Sequence, residues 1–166
     1  MGETIIWISG ATEGLGLGLA RTCPYPGARI INLSRRQHPD LETVQFDLTD
    51  PSTWDTVAEH FARELADFAG ERAIFIQNAY FPGCAGFVGE VDPALLRAEA
   101  IGNAVAPLVL ADAFIRAAGP GYESGLVLLS SAAARVPFEG GSSDRVTRWR
   151  RLRRSPPHQA GRAQVI

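Results

Sequence analysis

The stretch IIWISGATEGLGLGLA, residues 5–20, decides the fold of this chain. Its apolar, β-rich beginning predicts a buried parallel strand over Thr4–Ser9. A glycine-rich turn, Gly10-x-x-x-Gly14-x-Gly16, follows and leads into a predicted helix. Residues without a Cβ permit a tight turn and let backbone amides approach a phosphate at the positive end of a helix. Such glycines also permit close helix–strand packing, but their place at the first strand-to-helix turn favours phosphate binding.

Strands and helices alternate along the rest of the chain, and each predicted strand is nearly all apolar. This pattern predicts a doubly wound, Rossmann-like parallel sheet of five strands in an α/β/α arrangement, with a binding cleft at the carboxyl ends of the strands. Asp50 and Asp92, each before a proline, are predicted helix caps, and Gly18 is expected to serve close packing only. The strands are predicted over residues 4–9, 28–33, 43–46, 73–77 and 125–129. Helices are predicted over 15–22 and 51–68, and one or two helices within 93–117, the longer starting near Ala98.

Composition limits the class of protein. The chain has 166 residues, 46% of them hydrophobic, a mean hydropathy of +0.00 and a net charge of −2, which fits a single globular domain. It contains no run of 18 consecutive apolar residues, so no membrane span is expected. Two isolated cysteines and three scattered histidines predict neither a disulfide framework nor a metal site. With no signal-peptide pattern at its start, the chain is expected to be cytoplasmic.

The charge is distributed unevenly. All 18 acidic residues lie within residues 1–144, whereas residues 145–166 contain seven arginines and no acid; the chain has no lysine. We expect residues 1–143 to form the nucleotide-binding domain and residues 144–166 to be an atypical, disordered tail. Nucleic-acid or membrane-surface binding by this tail is not favoured, because runs of like charge are usually just solvated.

The glycine turn, SGATEGLG at residues 9–16, resembles the TGxxxGxG loop of the short-chain dehydrogenase/reductase family. Four further signals follow in the family's order along the chain, and the resemblance spans residues 4–143. Within the family, the sequence most resembles the benzil/sepiapterin reductase branch. The four signals are Asp47-Leu48, similar to the pair that contacts adenine; Asn78-Ala79, similar to the NNAG segment; Asn103, similar to the helix asparagine; and Ser131, similar to the catalytic serine.

This resemblance implies oxidation or reduction of a carbonyl or alcohol by a nicotinamide cofactor, with a small-molecule substrate. It is also compatible with a homo-oligomeric assembly. The implied catalytic residues are Ser131 and Asn103. The implied cofactor-binding residues are Gly10, Thr12, Glu13, Gly14, Leu15, Gly16, Ser34, Arg35, Arg36, Asp47, Leu48, Asn78 and Ala79.

The residues after the second strand indicate which cofactor is preferred. An NAD-selective site places a carboxylate there for the ribose 2′-hydroxyl, but the chain reads Ser34-Arg35-Arg36, with no acid until Asp40. A guanidinium pair suits a 2′-phosphate, so NADP(H) is favoured over NAD(H). The alternative is that these arginines are ordinary solvated loop charges.

The chemistry of the family depends on a YxxxK segment that this chain does not have. Asp144 and Arg148 stand at the corresponding positions. An ionised carboxylate is a poor proton donor, and the pKa of a guanidinium is too high for a proton relay. Tyr80 is the one tyrosine predicted near the cleft. The side chains of Phe81, Pro82, Cys84 and Phe87 would line a substrate pocket or merely cover the core.

Three hypotheses follow. The first is a family member by descent whose catalysis is lost or impaired; the second is a non-catalytic nucleotide-binding module; the third is a truncated product that folds poorly. The charge switch at Asp144 motivates the further hypothesis that the tail arises from a change of reading frame.

Overall fold

The computed structural model describes residues 3–83 and 89–130. Five parallel strands form one sheet in the order β3-β2-β1-β4-β5. The predicted doubly wound fold is therefore confirmed. The strands are β1 (Thr4–Ser9), β2 (Arg29–Ser34), β3 (Glu42–Gln45), β4 (Arg72–Gln77) and β5 (Glu123–Leu128).

The helices differ from the sequence prediction mainly at their boundaries. The predicted helix 51–68 begins as a 3-10 turn. The segment 93–117, predicted as one or two helices, has two helices separated by a π-helical turn at Ile101–Val105, and the longer of them begins at Ala106 rather than near Ala98. The helices are α1 (Gly14–Arg21), α2 (Trp54–Leu65, preceded by the 3-10 turn Pro51–Thr53), α3 (Pro93–Ala100) and α4 (Ala106–Ala117).

Both predicted caps are present. The Asp50 carboxylate accepts a hydrogen bond from the Ser52 backbone N–H at 3.0 Å, and the Asp92 carboxylate accepts one from Ala94 at 2.8 Å. In each case a proline follows the cap, where its missing N–H costs nothing. These caps fix where the helical segments after β3 and before the π turn begin.

Different helices cover the two faces of the sheet, and β1 is therefore buried on both sides. Trp7 faces α2 and α4, where its ring meets Phe61 edge-on at 5.2 Å, and Phe61 in turn lies 5.5 Å from Phe114. Ile6 and Ile8 face the other way and pack with Ala20 of α1. Each buried aromatic or aliphatic side chain of this kind stabilises the fold by about 1.5–3 kcal/mol.

The helical run Pro93–Ala117 is the stretch of the described chain that is long and apolar enough to cross a membrane by composition, with a mean hydropathy of 1.5 in its most apolar window. Of that window, 44% is buried within the fold, where Leu110 and Phe114 pack against the sheet. A core helix meets the same criterion, so this is weak evidence for a membrane span.

The sheet order reverses on either side of β1, because the chain moves outward to β2 and β3 and then returns to place β4 on the opposite flank. In open parallel sheets the carboxyl ends of the strands at such a point border a crevice. The glycine turn follows β1 directly, so the fold places it at this crevice.

Candidate functional site: a pocket at the carboxyl edge of the sheet

The glycine turn adopts backbone conformations that require its glycines. Gly10 and Gly14 have positive φ angles of 72° and 57°. Gly16 is required for a different reason, since a Cβ at this position would lie 2.1 Å from the Gly10 carbonyl oxygen. Gly18, by contrast, has nothing within 4 Å of a built Cβ, so the expectation that it serves close packing is wrong. The start of α1 thus packs directly onto the turn through Gly16.

Ser9 and Asn78 join the turn to the end of β4. The Ser9 hydroxyl oxygen accepts hydrogen bonds from the backbone N–H groups of Asn78 and Ala79, at 2.9 and 2.8 Å. The Asn78 side-chain amide donates back to the carbonyls of Ser9 and Gly10, at 3.0 and 3.2 Å. Four hydrogen bonds therefore hold the two central strand ends in a fixed relation.

Asn32, buried on β2, holds the other side of the turn. Its side-chain oxygen accepts a hydrogen bond from the Ala11 N–H at 2.9 Å. Its side-chain nitrogen donates to the Thr43 hydroxyl at 3.1 Å and to the Arg36 carbonyl at 3.3 Å. One side chain thus links the glycine turn, the loop after β2 and strand β3.

The corner after β3 is held by Asp47. Its carboxylate accepts hydrogen bonds from the backbone and hydroxyl of Thr49, at 2.8 and 2.9 Å. Its carbonyl accepts from the Trp54 indole at 3.1 Å, which ties the corner to α2. Leu48 is buried beside it. The corner therefore presents a carboxylate edge and an apolar side chain in a fixed orientation.

The two arginines after β2 are largely exposed, and each is paired with a carboxylate. The Arg36 guanidinium lies 2.6 Å from Glu13 of the glycine turn and 3.5 Å from the Thr12 hydroxyl. Arg35 lies 3.8 Å from Asp47. Pairing across the crevice brings the loop after β2 next to both the glycine turn and the Asp47 corner.

These elements surround the same open pocket, which has a volume of about 290 Å³. Ten of the thirteen residues that the resemblance assigned to the cofactor line it, whereas Gly14, Leu15 and Gly16 do not; the Leu15 side chain is 64% exposed. Tyr80, Phe81 and Pro82 complete the wall beyond β4. The ten are Gly10, Thr12, Glu13, Ser34, Arg35, Arg36, Asp47, Leu48, Asn78 and Ala79.

Asn103 lies behind this wall, in the π turn. It is buried, and its side chain bonds both polar groups of the Phe81 backbone: the Phe81 N–H donates to its oxygen at 2.9 Å and its nitrogen donates to the Phe81 carbonyl at 2.8 Å. Asn103 therefore anchors the segment that follows β4.

Several sequence predictions fall outside the described residues. These are Ser131 as the catalytic serine, Asp144 and Arg148 at the YxxxK positions, the pocket-lining expectation for Cys84 and Phe87, and the tail at residues 144–166.

Three residues that hold this site in place were not predicted from the sequence. Ser9 and Asn32 hold the turn, and Thr53 accepts a hydrogen bond from the Asp47 N–H at 3.0 Å. Ser9 and Asn32 carry a recognisable signal, because each is a polar residue inside an apolar parallel strand that is buried on both faces. A polar side chain in such a place needs hydrogen-bond partners.

The pocket has the chemistry that a dinucleotide requires. Its floor is a glycine turn that a Cβ at Gly16 would obstruct, and the N-terminus of α1 adjoins it. Its far side offers two guanidinium groups, and its corner offers a carboxylate and an apolar surface. Within residues 3–83 and 89–130, by contrast, no group of three His, Cys, Asp or Glu side chains could hold a metal ion.

Neither a family model nor a curated protein matches the sequence. Solved structures do match. A short-chain dehydrogenase/reductase from Burkholderia vietnamiensis aligns with a TM-score of 0.79 and 25% identity, covering 88% of this chain and 74% of its own. Aldohexose dehydrogenase from Thermoplasma acidophilum, in ligand-free form, gives 0.76 and 17%, covering 89% of this chain and 57% of its own. A metagenomic short-chain oxidoreductase in complex with NADP gives 0.70 and 23%, covering 88% and 70%.

Proposed function

We propose that this protein, which has the fold of the short-chain dehydrogenase/reductase family, binds NADP(H) in the pocket described above. The observation that carries the proposal is the convergence of three separate sequence segments on one pocket. The glycine turn, the arginine pair after β2 and the Asp47-Leu48 corner are far apart in the chain but line the same cavity. Each offers the chemistry that one part of the dinucleotide needs.

The residues divide by the part of the cofactor that they would hold. The turn at Gly10 and the start of α1 would take the pyrophosphate, because backbone amides and the helix dipole favour negative charge there. Asp47 and Leu48 would hold the adenine, and Asn78 with Ala79 would border the nicotinamide half. When bound, the nicotinamide supplies or accepts the hydride exchanged with a carbonyl or alcohol.

The arginine pair supports NADP(H) over NAD(H). Arg35 and Arg36 lie at the end of β2, where a carboxylate would otherwise accept hydrogen bonds from the ribose 2′-hydroxyl. The Ser34 hydroxyl accepts a hydrogen bond from the Arg36 N–H at 3.2 Å, which shapes the loop around the guanidinium groups. A 2′-phosphate would find forked donors there.

We propose further that catalysis is lost or strongly impaired. Asp144 and Arg148 stand where the family carries its tyrosine and lysine, and neither is suited to move a proton near neutral pH. Ser131 and Asn103 keep the residue types of the family's serine and helix asparagine. The chain would then act as a nucleotide-binding member of the fold, in the cytoplasm and without a membrane or nucleic-acid partner.

Thermal unfolding with increasing NADPH or NADH tests the binding proposal. We expect a cooperative transition whose midpoint NADPH raises more than NADH, since a ligand that binds only the native state stabilises it by about 2.7 kcal/mol at a hundredfold excess over Kd. A variant with both Arg35→Gln and Arg36→Gln should lose the preference for NADPH. Arg97→Gln, which removes an exposed arginine of α3, is the control. A transition that neither dinucleotide shifts would contradict the proposal.

An activity assay separates the alternatives. Binding without NADPH oxidation, tested with a panel of aldehydes and ketones, would support the non-catalytic module. Turnover at a rate ordinary for dehydrogenases would show that the loss of the tyrosine and lysine does not matter. The absence of any cooperative unfolding transition would support the poorly folding product instead.

A further inference from the structure

The glycine turn carries its own carboxylate into the part of the pocket where the arginines lie. Glu13 is the residue before Gly14, its side chain is 73% exposed, and it lies 2.6 Å from the Arg36 guanidinium. It makes no capping hydrogen bond to the start of α1, although it occupies the N-cap position. Glu13 thus pairs with an arginine that faces the proposed 2′-phosphate position.

The second arginine is paired in the same way, although less closely. Arg35 lies 3.8 Å from the Asp47 carboxylate. Among the described residues, the charged side chains that line the pocket are two arginines and two carboxylates, and their formal charges cancel. A ligand that brings extra negative charge meets a site with no net positive charge.

From this arrangement we infer that Glu13 is a selectivity residue that opposes NADP(H). Its carboxylate occupies the Nη2 end of the Arg36 guanidinium, so a 2′-phosphate that uses this donor must displace it and then remain near its charge. A 2′-hydroxyl brings no such charge, and a carboxylate accepts a hydrogen bond from it readily. Glu13 therefore reduces the preference for NADP(H) that the two arginines alone would produce. This inference rests on the proposed function.

The expected size of the effect of Glu13 on NADPH binding follows from the exposure of the Glu13–Arg36 pair. An exposed arginine–carboxylate pair is weak, so displacing Glu13 is possible but has a cost. Removing its charge should lower the Kd for NADPH roughly fivefold, the equivalent of one such pair at the upper end of its range. The Kd for NADH should stay the same or rise.

The experiment measures Kd for NADPH and NADH by the fluorescence of the bound dinucleotides, in the wild-type chain, in Glu13→Gln, in Arg36→Gln and in the double variant. Glu59→Gln, which removes an exposed carboxylate of α2 far along the chain from the turn, is the matched control. The expected result is a fall in the ratio of the NADPH Kd to the NADH Kd in Glu13→Gln alone. In the Arg36→Gln background the Glu13 substitution should change that ratio less, because only its repulsion of the 2′-phosphate remains.

Each other outcome has a definite meaning. An unchanged ratio in Glu13→Gln overturns the inference, and so does equal tightening of both dinucleotides, which would place the effect of Glu13 on the pyrophosphate. An undiminished effect in the Arg36→Gln background shows that Glu13 does not act through Arg36 and also overturns it. Failure of both dinucleotides to bind either the wild type or Glu13→Gln, in chains that unfold cooperatively, contradicts the proposed function itself.

Discussion

The side chain of Asn103 bonds both the N–H and the carbonyl of Phe81, at 2.9 and 2.8 Å, and so connects the π turn between α3 and α4 to the wall of the pocket. A π turn inserts one residue into a helix and is frequent at functional sites. Here it brings a polar side chain into a buried position beside an extended segment. The resemblance assigns Asn103 a catalytic part, and the structure adds an anchoring contact.

We expect Asn103→Ala to destabilise the fold by about 2–3 kcal/mol, because it leaves two backbone groups of Phe81 without their hydrogen bonds. Urea-induced unfolding measures this change. The affinity for NADPH should fall too, since Phe81 lines the pocket. Val105→Ala alters an exposed residue of the same π turn and should change stability by less than about 0.5 kcal/mol. Equal effects of the two substitutions would mean that the Asn103–Phe81 hydrogen bonds contribute nothing to stability.

Two glycines of α1 give a matched pair of substitutions. Gly16→Ala should destabilise the chain by about 1–3 kcal/mol and abolish dinucleotide binding, because the new methyl group would overlap the Gly10 carbonyl. Gly18→Ala meets open space in the same helix and should stabilise it by about 0.5–1 kcal/mol through helix propensity. Thermal unfolding with and without NADPH measures both effects. If both variants behaved alike, the close approach at Gly16 would have no consequence.

The sheet was predictable because a strand buried on both faces must be apolar along its length. The predicted bounds of β1 are correct, and those of the other four strands shift by one or two residues. The π turn was not predictable, because one inserted residue leaves the apolar spacing of residues 93–117 nearly unchanged. The prediction therefore left one or two helices open and began the longer one near Ala98, whereas the interruption comes at Ile101–Val105, where Asn103 meets Phe81.

The site was predictable where a residue type is required locally, as at Gly10 and Gly16, and not where the requirement comes from tertiary contacts. Nothing in the order of residues indicates that Glu13 pairs with Arg36, because the contact forms only when β2 lies beside β1. The same holds for Asn32 and Ala11, which are 21 residues apart. Such pairs depend on the register of the sheet.

We therefore expect Asn32 to be as important for stability and dinucleotide binding as the glycine turn that it holds. Asn32→Ala would leave the buried Ala11 N–H unpaired and release the loop that carries Arg36. We expect a loss of about 1–3 kcal/mol of stability and roughly a tenfold rise in the Kd for NADPH. Thr43→Val is the control, because it removes one partner of Asn32 and leaves the bond to Ala11 in place. Denaturant unfolding and dinucleotide titration of the two variants measure the difference, and an equal loss of affinity in both would contradict the role assigned to the Ala11 bond.

His60 of α2 makes stability depend on pH in a defined direction. Its ring is buried against Trp7, and its Nδ1 lies 2.5 Å from the Arg63 guanidinium, which donates to it. Burial lowers the pKa of His60 below 6.5; the Glu64 carboxylate opposes this shift, and the Arg63 charge adds to it. Among the described residues, its Nε2 has no hydrogen-bond partner. His60 is thus held in its neutral form in the native state.

Between the lowered native pKa of His60 and about 6.5, the unfolded chain binds more protons than the native chain, so stability rises with pH and falls as the solution is acidified through this window. One such group changes the free energy of unfolding by at most about 1.4 kcal/mol per pH unit. We expect His60→Gln to remove this component of the slope in urea unfolding measured from pH 5 to 7.5, and His38→Gln, which replaces the other histidine in the described part of the chain, to keep it. Glu64 acts at lower pH: burial opposes its ionisation, but Arg29 outweighs that and lowers its pKa below 4.5. A slope between pH 5 and 7.5 that persists unchanged in His60→Gln would show that another group controls it.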